Sequence, residues 1–129
     1  MKTVGSSVNV TFKELGDTKM TAKVDTGAHS GALSCSDIYM EKKDDLYVLF
    51  FKPAGSNKHY STNKFRVLTV RSSNGTEEQR FSILTDVELE GEKYRMRISL
   101  ANRSGMKFPV LIGSRFLRRH KFIVDLSKK

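Results

Sequence analysis

The sequence predicts an all-β domain, a small closed or nearly closed β-barrel carrying one short helix near its C-terminus. Three observations carry that expectation. Strand-forming runs of a few residues recur along the chain between clusters of Gly, Asn, Asp, Ser and Pro. Several of them alternate apolar and polar residues, the period of a strand with one face buried. An Asn74-Gly75 pair sits between two such arms, a strong short-range hairpin signal.

Taken in order, Val8 to Phe12 alternates, Gly16-Asp17 turns the chain, and Met20 to Val24 returns as the second arm of a hairpin. Leu33 to Tyr39 reads as the next strand, closed by the charged break Glu41-Lys42-Lys43-Asp44-Asp45. Leu46 to Phe51 is a continuous apolar run, too short for a helix to be preferred, and predicts a buried strand. Residues 53–61 are rich in Pro, Gly, Ser, Asn and His and read as a loop. Phe65 to Val70 and Arg80 to Leu89 are the arms of the clearest hairpin, turning at Ser72-Ser73-Asn74-Gly75. Glu90-Gly91-Glu92 turns again into Tyr94 to Leu100, where Tyr94, Met96, Ile98 and Leu100 alternate with polar residues. Asn102 to Gly105 is a turn, Val110-Leu111-Ile112 a short buried strand, Ser114 the cap of a brief helix through His120, and Phe122 to Leu126 a last strand.

A chain of 129 residues holds one core, and no linker, repeat or low-complexity tract divides it, so residues 1–129 read as a single domain. Ordinary composition, with 38% hydrophobic residues, argues against disorder and fibrous classes. No apolar run is long enough to span a bilayer, and Met1 to Met20 lacks the apolar stretch of a secretory signal. The expectation is a protein without membrane contact, cytoplasmic as given, or periplasmic if a signal segment has been removed from a longer precursor. Cys35 is the single cysteine, which excludes an internal disulfide and predicts a small buried filler.

The formal charge is +9, from 23 Lys and Arg against 14 Asp and Glu. Because these charges are spread along the chain, with clusters only at Arg118-Arg119-His120-Lys121 and Lys128-Lys129, a solvated basic surface is favoured over a nucleic-acid site. His29, His59 and His120 are far apart, no His-Glu-x-x-His helix is present, and no phosphate-binding Gly-x-x-x-x-Gly-Lys loop occurs. Neither a metal nor another cofactor is expected.

The stretch Ala22-Lys23-Val24-Asp25-Thr26-Gly27-Ala28-His29-Ser30 is the candidate site. An acid and a hydroxyl precede a glycine directly after a strand, and a glycine there permits a positive φ or a close backbone approach, so that a tight turn aims the carboxylate at a cleft. The alternative is a turn aspartate with no chemistry, since all three residues are common in turns.

Two separated motifs, Asp25-Thr26-Gly27-Ala28 and Val110-Leu111-Ile112-Gly113 before a short helix, resemble those of the retroviral-type (retropepsin-like) aspartic proteases. More closely, Lys23 to Ala28, the Arg71 to Gly75 hairpin with Arg80 after it, and Phe108 to Gly113 are similar to a bacterial family labelled ATP-dependent zinc proteases, now regarded as retropepsin-like. Some members of that family accompany ATP-grasp ligases. The resemblance covers residues 7–126.

It implies the retroviral aspartic protease barrel, and a homodimer in which two copies of Asp25 meet at the two-fold axis as an acid dyad acting on a peptide or protein substrate. Thr26 would hydrogen-bond across that axis, and Gly27 and the backbone nearby would hold substrate as an extended strand. His29 would lie beside the dyad, and Ser72, Ser73, Asn74 and Gly75 would form a flap over bound peptide. Leu111, Ile112 and Gly113 would support the Asp25 loop from below. The chain departs from its retroviral relatives in one place. Their acid at the position of His29 pairs with an arginine directly after the hydrophobic-hydrophobic-Gly motif, which here is Ser114. The link between loop, helix and dimer contact must therefore be made another way. A noncatalytic module of the same fold, binding a peptide or a partner such as an ATP-grasp ligase, is the alternative reading.

Overall fold

In the computed structural model, which describes residues 2–71, 74–102, 105 and 107–128, six strands close on themselves. β3 (Thr18–Val24) pairs antiparallel with β2 (Ser7–Phe12) and parallel with β10 (Val110–Ile112). β10 lies antiparallel to β4 (Gly31–Lys43), and β4 runs parallel to β9 (Glu92–Ala101). β9 pairs antiparallel with β8 (Glu77–Leu89), which returns to β2 through Val10 opposite Leu89 and Thr11 opposite Glu88. The ring is a closed barrel, and closure leaves its strands without a free edge around the circuit.

Period-two alternation sets what fills it. Val8, Val10 and Phe12 of β2, Met20, Ala22 and Val24 of β3, Ile83, Val87 and Leu89 of β8, and Tyr94, Met96, Ile98 and Leu100 of β9 all point inward and are buried. Burying each large side chain contributes about 1.5–3 kcal/mol against conformational entropy of similar total size. Thr85 is the polar exception on β8, and its hydroxyl donates to Glu14 Oε1 at 3.3 Å. Glu14 sits on a 3-10 turn (Lys13–Leu15), where Oε1 also accepts from the Asp86 amide at 2.9 Å and from Arg95 Nη1 at 3.3 Å. One carboxylate thus pins the β2–β3 connection to the β8–β9 pair.

Several expectations are corrected. The charged stretch after Tyr39 is no break: β4 continues to Lys43, and the turn is only Asp44-Asp45, both with positive φ, before β5 (Leu46–Pro53). This end of the β4–β5 ribbon extends past the barrel with exposed side chains, so it lacks the apolar alternation of a strand on a core. For the same reason β5 is buried only from Leu49 onward, while Leu46 and Tyr47 are more than half exposed. Within the expected loop, Tyr60–Thr62 forms β6 along β5. Ser114 does not cap α1 (Ser114–Arg119) but begins it; Gly113 is the capping position and no side chain serves it. The last strand, β11, is limited to Phe122–Val124 and pairs in parallel with β1 (Lys2–Val4), a three-residue strand that the sequence pattern did not reveal. Val4 is fully buried, so the core begins before residue 7. Cys35 is buried as expected, and burial pushes its thiol up to about 12, far from the reactive thiolate range.

β7 (Arg66–Arg71) pairs with β8 alone, with Arg66 opposite Ser82 and Arg71 opposite Glu77. This is the expected hairpin. Gly75 takes φ +85° in its turn and Asn74 Oδ1 accepts from the Thr76 amide at 3.2 Å, while Ser72 and Ser73 lie outside the described residues.

At the C-terminal end of α1, His120 packs against Phe116 and Tyr94, with ring centroids 4.6 and 4.9 Å apart. Its Nε2 is buried with no hydrogen-bond partner among the described residues. Burial first, then the nearby Arg119 and Lys2 cations, hold its pKa below the ordinary 6.5, against an opposing hydrogen bond to the Arg95 backbone. The native state therefore keeps His120 neutral where the unfolded chain has taken a proton. Its contribution to stability is present above about pH 6.5 and is lost as pH falls from there. Asp86, Glu92 and Asp125 are held low by Arg95, Lys2 and the Ser127 hydroxyl respectively, and lose their contributions at more acidic pH, as pH falls through the ordinary carboxylate range and below it. Thermal unfolding followed by circular dichroism should show the melting temperature dropping between about pH 7 and pH 5. His120→Phe should flatten that slope while leaving the steeper loss below about pH 4 in place.

Candidate functional site

The Asp25 loop begins where the β3–β10 ladder ends. Ile112 lies opposite Val24, and the Asp25 amide continues the ladder by donating to the Ile112 carbonyl at 2.9 Å. The Ala28 amide then donates to the Asp25 carbonyl at 3.2 Å, closing a four-residue turn, and the Gly27 amide donates to Asp25 Oδ1 at 3.1 Å. This is an aspartate bonding the backbone two residues on, the arrangement that favours Asp in tight turns. The carboxylate is half-buried, with neither packed neighbours sealing it nor, among the described residues, a cation paired to it. An acid in this position remains reachable from solvent.

Around it, Thr26, Gly27 and His29 are exposed and Ala28 is half-buried. Among the described residues the Thr26 hydroxyl has no hydrogen-bond partner. Of the two conformational freedoms a glycine offers at position 27, the positive φ is not used. Among the described residues other than its chain neighbours, a Cβ there would come nearest to Asp25 Oδ1, at an ordinary 3.4 Å. The turn among the described residues therefore does not demand glycine at this position.

Support from below is made of backbone. The first two amides of α1 turn back onto the loop: Ser114 N–H donates to the Ala28 carbonyl at 2.8 Å and Arg115 N–H to the His29 carbonyl at 3.1 Å. The opening amides of any helix lack intrahelical acceptors, and here two of them find acceptors in the loop. Gly113 makes the approach possible, since a Cβ on it would fall 2.7 Å from the Ser30 carbonyl carbon, 2.8 Å from the Ser30 oxygen and 2.9 Å from the His29 oxygen. The loop-to-helix link that an acid–arginine pair would make in retroviral relatives is thus made by main-chain bonds. Ile112 and Gly113 lie against the Asp25 loop, with Ile112 fully buried, while Leu111 sits between Lys23 of β3 and Ala32 of β4. The carbonyls of Ala28, His29 and Ile112 that receive these bonds carry no side-chain signature by which a sequence could show them.

His29, His59 and His120 are not brought together. His59 Nε2 lies 3.0 Å from Asp37 Oδ2 and His120 sits in the aromatic cluster beside Tyr94. Among the described residues no three His, Cys, Asp or Glu side chains gather to hold a metal ion.

A closed barrel in which an Asp-Thr-Gly turn is bonded to a hydrophobic-hydrophobic-Gly strand and the helix after it defines the retropepsin-like class. The family model described as RimB-like, retropepsin-like aspartic endopeptidase RimB, matches residues 3–129, and the chain belongs to that family. Among curated proteins it is similar to the probable alpha-L-glutamate ligase of Shewanella pealeana, 29% identical over 97% of this chain, and to that of Desulfotalea psychrophila, 27% identical over 96%. The chain spans only 28% of the length of those relatives. The fold matches the crystal structure of a Legionella pneumophila protein of unknown function, with a TM-score of 0.77 at 23% identity, covering 98% of this chain and 94% of the other.

Gly113→Ala tests the backbone support. The added methyl must displace main-chain atoms and not a flexible side-chain end, so the expected destabilisation is about 1–3 kcal/mol by denaturant titration. Hydrogen exchange at the Ser114 and Arg115 amides should speed up as well, and protection equal to the parent's would show that these bonds do not hold the loop.

Proposed function

We propose that the protein is an aspartic endopeptidase of the retropepsin type, active as a homodimer whose acid dyad is Asp25 from each subunit. The observation that carries this reading is the half-exposed Asp25 carboxylate, held in a turn that β10 and α1 fix from below. Two carboxylates about 3 Å apart cannot both ionise, so one keeps a proton. The ionised member takes a proton from a shared water, which attacks the peptide carbonyl. The protonated member hydrogen-bonds the developing oxyanion, and the leaving nitrogen is protonated through the same pair. No covalent intermediate and no metal are required.

The remaining residues take roles consistent with their exposure. Thr26, exposed and without a hydrogen-bond partner among the described residues, hydrogen-bonds across the two-fold axis. Gly27 leaves room for substrate or for the second subunit, which accounts for a glycine that the turn alone does not need. His29 borders the dyad, and the hairpin with Ser72, Ser73, Asn74 and Gly75 at its turn serves as the flap that excludes water. Leu111, Ile112 and Gly113 act as support. Relatives named as alpha-L-glutamate ligases suggest a setting in which this domain works beside such a ligase, on a glutamate-bearing peptide that a chain of net charge +9 would attract.

Those same names favour the second reading, a noncatalytic module of this fold that docks on an ATP-grasp ligase. The two separate experimentally. Incubation with a peptide library that includes glutamate-tailed members should give cleavage that Asp25→Asn abolishes, by at least about a thousandfold, and sedimentation should show a dimer. A strict monomer, or cleavage indifferent to Asp25→Asn, refutes the dyad. Tight ligase binding unaffected by Asp25→Asn and without any cleavage would instead establish the module.

Gly27→Ala should change the stability of the isolated subunit by no more than about 0.5 kcal/mol, because its Cβ meets only ordinary contact distance. It should nevertheless suppress cleavage or dimer formation, and a fully active Gly27→Ala protein would remove the role given to this glycine.

A further inference from the structure

The outer face of the β7–β8–β9 layer carries two arginines that the fold brings together without a counter-charge. Strand register sets Arg66 directly across from Ser82, Ser82 across from Ser99, and Leu84 across from Arg97, so all five side chains share the face turned away from the core. Arg97 Nη1 donates to Ser82 Oγ at 3.4 Å, which draws its guanidinium toward the strand position that Arg66 faces from the other side. Arg66 is exposed and Arg97 half-buried.

Other cations nearby find acids. Arg95 is 2.9 Å from Asp86, Lys93 is 3.7 Å from the same carboxylate, and Arg80 is 3.4 Å from Glu78. Among the described residues neither Arg66 nor Arg97 has a carboxylate partner. Burial first, then the Arg66 charge on the far side of β8, pull Arg97 below its ordinary pKa. A planar guanidinium pair flanking a hydroxyl matches an oxyanion, and arginine is the side chain that reads carboxylate and phosphate through paired N–H donors.

The same face also exposes large apolar side chains. Leu84 is 45% exposed beside Arg97, and Leu68, two residues along β7 from Arg66, is 64% exposed. A free inorganic anion would cover neither leucine, whereas a peptide would.

We propose that this face is a docking site for an acidic peptide segment, one carboxylate of which enters the Arg66–Ser82–Arg97 cluster while an apolar neighbour covers Leu84. The site lies on strands other than those that carry the Asp25 loop, and it stands whether or not Asp25 cleaves peptides. Charge complementarity favours this occupant, since the chain is strongly basic overall and, among the described residues, these two cations have no carboxylate partner.

The test is fluorescence anisotropy of a fluorescein-labelled peptide of alternating glutamate and leucine, titrated with the Asp25→Asn protein so that cleavage cannot consume the probe. Arg66→Gln and Arg97→Gln should each weaken binding about tenfold, and Leu84→Ala about threefold. Lys19→Gln removes the same charge from β3 and should change affinity less than about twofold. Arg66 is exposed, so Arg66→Gln decides the matter even if Arg97→Gln fails to fold. Unchanged binding by Arg66→Gln, or an equal loss from Lys19→Gln, would overturn the site. Full displacement of the probe by millimolar inorganic phosphate, together with no effect of Leu84→Ala, would overturn the peptide as its occupant.

Discussion

Two main-chain hydrogen bonds, from Ser114 to Ala28 and from Arg115 to His29, join the start of the helix to the loop that carries the acid. Their length depends on Gly113, which lets the backbone of one segment lie against the carbonyls of the other. A side-chain ion pair in this place would depend on salt and on the protonation of its acid. Amide-to-carbonyl bonds depend on neither, and their strength comes from both groups having no better partner once water is excluded. The position of Asp25 is thereby tied to the barrel through β10, whose parallel pairing with β3 and antiparallel pairing with β4 lock it between the two strands flanking the loop.

Much of this could be read from residues. The apolar alternation in β8 and β9 is clean because one face of each packs on the core, and the Asp-Thr-Gly and Val-Leu-Ile-Gly elements are legible as a pair in the sequence itself. What escaped was of three kinds. The outer part of β4 is charged because its ribbon has no core beneath it, so the usual period is missing. β1 is three residues long and finds its partner some 120 positions away, beyond the reach of any local pattern. Residue preference favours Ser114 as the cap of α1, whereas the loop carbonyls already occupy amides that a capping hydroxyl would serve.

Charge is distributed in the same economical way. Glu14 binds a hydroxyl, an amide and a guanidinium at once, and Asp86 takes both Arg95 and Lys93. With fewer acids than bases, a chain that doubles up its carboxylates in these places necessarily leaves cations unmatched elsewhere, and the face of β7 to β9 is where two of them coincide.

The parallel pairing of β1 with β11 has a mechanical consequence. Tension applied to the first residue and the last would pull along the two strands in opposite directions, loading their bonds together in shear instead of opening them one at a time like a zipper. The bond from the Asp125 amide to the Val4 carbonyl and that from Lys128 Nζ to the Thr3 carbonyl would share the load. A molecular motor hauling on either tail would meet its resistance at this clasp before the barrel itself was strained.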